Sequence, residues 1–362
     1  MLLVFSDISL VTFILFNLTG VLTLYLILNT KSVALNKSLS TITQPYSLTK
    51  IKSNELTFRI SIVSILFTIL YLLILSTNNQ LVWFNHLLVT NTNLSLTIIF
   101  NILLLVLFSG FVYKLPILKN LHFEYFFAII FLNILLPIIF FSTNLLTFFF
   151  ILEVISSLIL FKFITGRDWE ILISTKKSQF FNYKNNLKST AFTNIVFFQY
   201  WVSFFSSVLI VYSLLIFLYF YGSTEWVIIN FLTSIDMTTK SISYNSQIIL
   251  AYSALILGLF LKLGIAPVHL YKIELYKGLP FITLLFYTVY FFFIFFLFFC
   301  FLIITYLNSA SIIWYNIGIL LLSTGVIWVM CLLFDITGLK AFFAYSTIVN
   351  SMAFFALIIS ML

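Results

Sequence analysis

The chain has 362 residues, of which 62% are hydrophobic, 20% aromatic and only 8% charged, and its mean hydropathy is +1.18. So little polar material cannot cover a surface in water, which excludes a soluble globular fold and predicts an integral membrane protein. The net charge of +8 falls in connections between apolar runs, with no separate basic patch interleaved with aromatics, which speaks against a nucleic-acid partner.

Apolar runs long enough to span a bilayer fall at 8–29, 57–77, 96–113, 125–141, 144–165, 193–220, 247–276, 280–305, 311–334 and 342–362. A helix satisfies its own backbone hydrogen bonds in hydrocarbon, and no alternating pattern argues for a barrel. The runs therefore predict an all-α polytopic bundle of about ten transmembrane helices, forming a single domain over residues 1–362. The start of the chain, Met1-Leu2-Leu3-Val4-Phe5-Ser6-Asp7, carries no Arg-rich amphipathic transit signal. Arg59 and Arg167 are the sole arginines among 18 basic residues, a skew that an AT-rich organelle genome produces. Both observations fit synthesis inside an organelle.

All but two of the 18 basic residues flank odd-numbered connections; Lys240 falls in an even one and Lys262 inside a span. The positive-inside rule then places the odd connections in the matrix or cytoplasm and the N-terminus on the opposite side. The connections at 30–56 and 166–192 are rich in Ser, Thr, Asn and Lys and read as solvated loops.

The fifth run holds Glu153, within Leu152-Glu153-Val154-Ile155-Ser156, while Lys162 stands close enough to its end to snorkel outward. The seventh run holds Lys262, within Leu261-Lys262-Leu263-Gly264-Ile265-Ala266-Pro267-Val268-His269. Ionisable groups at membrane depth are costly and mark ion or proton pathways. A buried acid and a buried base keep each other ionised when paired, so moving one from the other changes proton affinity. The competing reading is an ion pair that only fixes helix packing. Gly264 and Pro267 break the seventh helix beside the lysine, as happens where helices line a hydrated cavity. His269 stands seven residues on, about 10 Å along an unbroken helix, and its imidazole suits a proton relay as well as it suits a plain interfacial hydrogen bond. Cys300 and Cys331 read as small buried hydrophobes.

The stretch from Leu261 to Tyr271, followed by Glu274, Tyr276, Gly278 and Pro280, resembles the F-K-x-x-x-P-F-H-x-W-x-P-D-x-Y-x-G-x-P block of the subunit 2 family of NADH:ubiquinone oxidoreductase, respiratory complex I. Leu152-Glu153 with Ser156 resembles the family's L-E-x-x-S element, and Leu339-Lys340-Ala341-Phe342-Phe343-Ala344-Tyr345-Ser346-Thr347-Ile348 its L-K-R-L-L-A-Y-S-S-I element. The resemblance implies an antiporter-like subunit of the mitochondrial inner membrane, with its N-terminus facing the intermembrane space. It also implies a role in proton translocation coupled to electron transfer from NADH to ubiquinone. Glu153 and Lys262 would be the coupled pair and His269 a relay. No cofactor, redox centre or metal is implied; the implied partners are other membrane-arm subunits and membrane lipid.

The chain departs from the family in several places. Tyr271 replaces a Trp, Val268 a Phe and Ile273 a Pro. A lysine usual on the eighth helix is replaced by Phe292, with no basic residue near it in sequence, and the family's last helices do not follow Leu362. Either a separate polypeptide supplies those helices or this copy has lost them. The alternatives are a structural membrane-arm subunit without proton translocation and a stand-alone cation/proton antiporter.

Overall fold

The computed structural model describes residues 62–66, 68–70, 80–82, 86–112, 123–174, 182–239, 246–279, 281–333 and 338–361. The first predicted span, the 30–56 connection and Pro280 lie outside the described residues. Among the described residues six helices are long and apolar enough to cross a membrane: Leu145–Ile164, Asn194–Tyr221, Ser246–Leu263, Thr283–Tyr306, Asn308–Leu333 and Leu339–Ser360. They coincide with the fifth to tenth predicted spans, and shorter apolar helices at Asn91–Leu107 and Ala128–Phe141 coincide with the third and fourth. The molecule is an all-α membrane bundle.

The chain divides into two compact units. The first runs to Phe141, with Asp168–Ile173 added. It contains a short antiparallel hairpin, β1 (Gln80–Val82) on β2 (Leu87–Val89), that the hydropathy pattern did not foretell. It also contains α1 (Asn91–Val112) and α2 (Phe123–Phe141). Thr90 caps α1 by accepting the Asn93 N–H at 3.2 Å, and the Asn93 side chain donates to the Phe140 carbonyl at 2.9 Å. Phe100 and Phe140 pack with ring centroids 5.5 Å apart beneath that bond.

The second unit holds Ser142–Arg167 and Ser174–Leu362. Its helices are α3 (Leu145–Ser174, whose Asp168–Ile173 stretch belongs to the first unit), α4 (Asn182–Tyr221), α5 (Trp226–Thr239), α6 (Ser246–Leu263) and α7 (Leu270–Gly278). α8 (Phe281–Leu285) then passes through a π-helical stretch, Phe286–Phe292, into α9 (Phe293–Tyr306), and α10 (Ser311–Leu333) and α11 (Leu339–Met361) follow. Most of the 166–192 connection, read as a loop, is helix, because α3 and α4 both continue through it. Polar residues that end an apolar run need not end the helix carrying it. The connection after the sixth span likewise contains a helix, α5, whose Trp226 is fully buried against Phe148 and Tyr306.

Close approach holds the central pair of helices. α4 packs along α6, where Ser206 donates to the Gly258 carbonyl at 2.8 Å. A Cβ at position 258 would stand 2.9 Å from Ile210 Cγ1 and 3.1 Å from the Ser206 carbonyl, so glycine sets this spacing. Phe260, Phe299 and Phe355 form an aromatic core joining α6, α9 and α11, with Phe260 4.8 Å from Phe355 and Phe299 5.6 Å from Phe355. The outer faces are apolar as well, with Phe205, Leu215, Leu320 and Ile327 all exposed, as suits a bundle whose solvent is hydrocarbon.

Candidate functional site: a buried ion pair at a helix break

α6 ends at Leu263, one residue after Lys262, and the chain turns through Gly264–His269 before α7 begins. Gly264 adopts φ +64°, a left-handed conformation open to glycine, and a Cβ there would meet the Tyr271 hydroxyl at 2.9 Å. The break falls where Gly264 and Pro267 predicted it, and it frees three carbonyls. The Ile265 N–H bonds to Phe260 rather than Leu261, at 3.1 Å, and Pro267 has no N–H to offer Leu263. α7 supplies the substitutes. The Tyr271 hydroxyl lies 2.6 Å from the Leu261 carbonyl and 3.2 Å from that of Lys262, and the Lys272 ammonium lies 3.5 Å from that of Leu263.

Lys262 meets Glu153 of α3, its Nζ donating to Oε1 at 2.7 Å. The two predicted partners, 109 residues apart, are therefore in contact. Their environments differ: the lysine side chain is 7% exposed and the glutamate side chain 35%. Beside the lysine lies a cavity of about 20 Å³ lined in part by Ser156, Gln199, Ser203, Tyr287 and Phe291. The lining is mostly apolar, with room for one water, and the buried Oε1 of Gln199 among it faces no hydrogen-bond partner.

His269 is not on a continuous face with Lys262, because the break intervenes. Its ring is fully buried, neither nitrogen meets a hydrogen-bond partner, and it lies 6.3 Å, centroid to centroid, from the Tyr345 ring of α11. Elsewhere on α11, Thr347 meets the Tyr276 hydroxyl at 3.3 Å, and Lys340 donates to the Leu279 carbonyl at 2.8 Å. The third motif therefore packs on the second.

Two lysines behave differently from their sequence reading. Lys162 does not snorkel outward; it is 5% exposed and its ammonium lies 4.5 Å from the centroid of the Phe286 ring, because α3 continues past it and leaves it deep in the bundle. Lys272, read as a flank of the seventh connection, is fully buried with its ammonium 3.5 Å from the centroid of the Phe292 ring. Phe292, far from any basic residue in sequence, has one above its face. Nothing in local spacing signals this, since the direction of α7 is set only after the break.

No family model matches the sequence. Over 71 residues the chain is 31% identical to an uncharacterized mitochondrial protein, ORF4, of Paramecium tetraurelia, a match covering 20% of this chain and 46% of that protein. A chain in a structure described as respiratory complex I from Thermus thermophilus with bound aureothin superposes with a TM-score of 0.59 and 14% sequence identity. The match covers 92% of this chain and 64% of that one. The fold is that of a respiratory complex I chain. The present chain spans less than two thirds of the length of each of these relatives. At 14% identity the complex I likeness is one of fold, and the ion pair, the break and the cavity are features of this chain's own residues.

Proposed function

We propose that the chain is a membrane-arm subunit of respiratory complex I in the mitochondrial inner membrane, contributing to proton translocation coupled to electron transfer from NADH to ubiquinone. The observation that carries this reading is the 2.7 Å Lys262–Glu153 pair beside a helix break, within a complex I fold. In this reading the chain holds no redox centre, touches other membrane-arm subunits and lipid, and has its N-terminus on the intermembrane-space side.

The pair works as a charge switch. With Glu153 against it, the ammonium of Lys262 has its counter-charge and keeps its proton. When the carboxylate withdraws, that stabilisation is lost, and the proton passes to water in the adjoining cavity. Return of the carboxylate favours protonation again. The exposure difference supports a division of roles in which Glu153 is the half that a neighbouring chain can reach and Lys262 the half that holds the proton. His269, buried at the far side of the break, serves as a relay toward α11.

A structural role without translocation is the second reading, favoured by Phe292 standing where the family resemblance leads one to expect a lysine. One experiment tests membership: gentle solubilisation of the inner membrane, native separation, staining for NADH oxidation and identification of peptides in the active band. Co-migration with NADH activity supports a complex I subunit, and migration apart from it refutes one. In the assembled complex, an unchanged number of protons per NADH in Lys262→Arg would leave the structural role standing.

A further inference from the structure

Lys272 is a full lysine side chain with no exposed surface. Among the described residues no carboxylate forms an ion pair with it. Its surroundings are the face of Phe292 at 3.5 Å and the Leu263 carbonyl at 3.5 Å, a long contact for a charged donor. A ring face and one carbonyl compensate only part of the cost of burying an ammonium. A permanent structural cation is normally given better company, by pairing.

Its position relative to Lys262 is specific. The Leu263 carbonyl is on the residue next to Lys262, so both lysines stand at the same broken helix end. They also share the π-helical stretch of Phe286–Phe292. Tyr287 and Phe291 wall the cavity at Lys262, and Phe292, the next residue, is the seat of Lys272. Short π-helical stretches inside α-helices occur often at functional sites. On the first turn of α7, the Lys272 N–H donates to the His269 carbonyl at 3.0 Å.

We propose that Lys272 is a second proton-carrying amine of this chain, exchanging protons with Lys262 across the helix break. The step is a simple transfer: an N–H bond of the Lys262 ammonium breaks, water carries the proton past Phe291 and Phe292, and an N–H bond forms on the neutral amine of Lys272. No oxidant or reductant takes part. The inference rests on the proposed role of the Lys262–Glu153 pair. The competing role for Lys272 is a fixed cap that supplies Leu263 with the donor Pro267 lacks.

The test reconstitutes the assembled complex into liposomes and measures protons moved per NADH oxidised for Lys262→Arg, Lys272→Arg and Lys272→Met/Phe292→Lys. Arginine keeps the charge and the cap but cannot release a proton. The expected result is that Lys272→Arg lowers the ratio at least as far as Lys262→Arg, and that the double variant, with its amine grown from the ring it now covers, restores the ratio toward wild type. A wild-type ratio in Lys272→Arg, with a lowered one in Lys262→Arg, overturns the inference and leaves the paired site standing. An unchanged ratio in Lys262→Arg overturns the paired site and this inference with it. If Lys272→Arg fails to assemble, the double variant decides alone: a ratio above that of Lys262→Arg supports the proposal, and one at or below it refutes it.

Discussion

The hydroxyl of Tyr271 lies 2.6 Å from the carbonyl oxygen of Leu261, so a residue ten positions along the chain makes the hydrogen bond that the broken helix no longer can. Removing it with Tyr271→Phe leaves that carbonyl buried without its donor, at a cost of about 1–3 kcal/mol. The variant should melt at a lower temperature in detergent while keeping its helix content by circular dichroism. An unshifted transition would mean that another group satisfies Leu261.

Gly264→Ala attacks the same joint from the other side. A left-handed alanine costs roughly 1–2 kcal/mol, and its methyl would stand 2.9 Å from the Tyr271 hydroxyl. The variant should therefore lose more stability than Tyr271→Phe, and combining the two should cost less than the sum. Thermal stability of the three variants provides the cycle, and strict additivity would contradict the contact.

The Lys262–Glu153 contact predicts strong coupling. Lys262→Met and Glu153→Gln should each lower the proton-to-NADH ratio, and the double variant should be little worse than the poorer single one. Interaction energies between contacting residues are about 0.5–3 kcal/mol. Reconstituted proton transport on all four proteins measures the ratio, and independent effects would dissolve the pair as a functional unit.

Between α4 and α6, Gly258→Leu should disturb assembly far more than Ser206→Ala. The leucine must displace Ile210 or the Ser206 backbone, whereas the alanine loses one interhelical hydrogen bond worth about 0.6 kcal/mol in a membrane. Yield of folded protein after detergent extraction reads the difference; equal yields would show that this interface tolerates wider spacing.

Much of this architecture could be read from the residues. Spans are legible because hydrocarbon demands long apolar helices, and Glu153 and Lys262 stand out because charge is rare there. Gly264 and Pro267 announce the break because each acts on the backbone locally. What local chemistry cannot announce is direction after a break. Lys272 and Lys277 read alike as flanks of one connection, yet Lys277 and the neighbouring Glu274 are exposed while the turn at Gly264 sends Lys272 inward. The burial of Lys162 is hidden for a related reason, since a polar sequence after it gives no sign that the helix continues. The short helix α5 is not legible because it is too short to look like a span and buries Trp226 through tertiary contacts.

The π-helical stretch has a consequence for the length of the chain itself. Each residue of an α-helix turns the ones after it by about 100°, so the wider turn of Phe286–Phe292 resets the angular phase of everything downstream. Phe298, Phe299 and Leu302 face the interior only in that phase, and all three are buried. Deleting a single residue from 286–292 and letting the helix regularise would swing this apolar row toward lipid. The span therefore behaves like a keyed shaft: its composition can drift within the apolar alphabet, but its residue count is fixed.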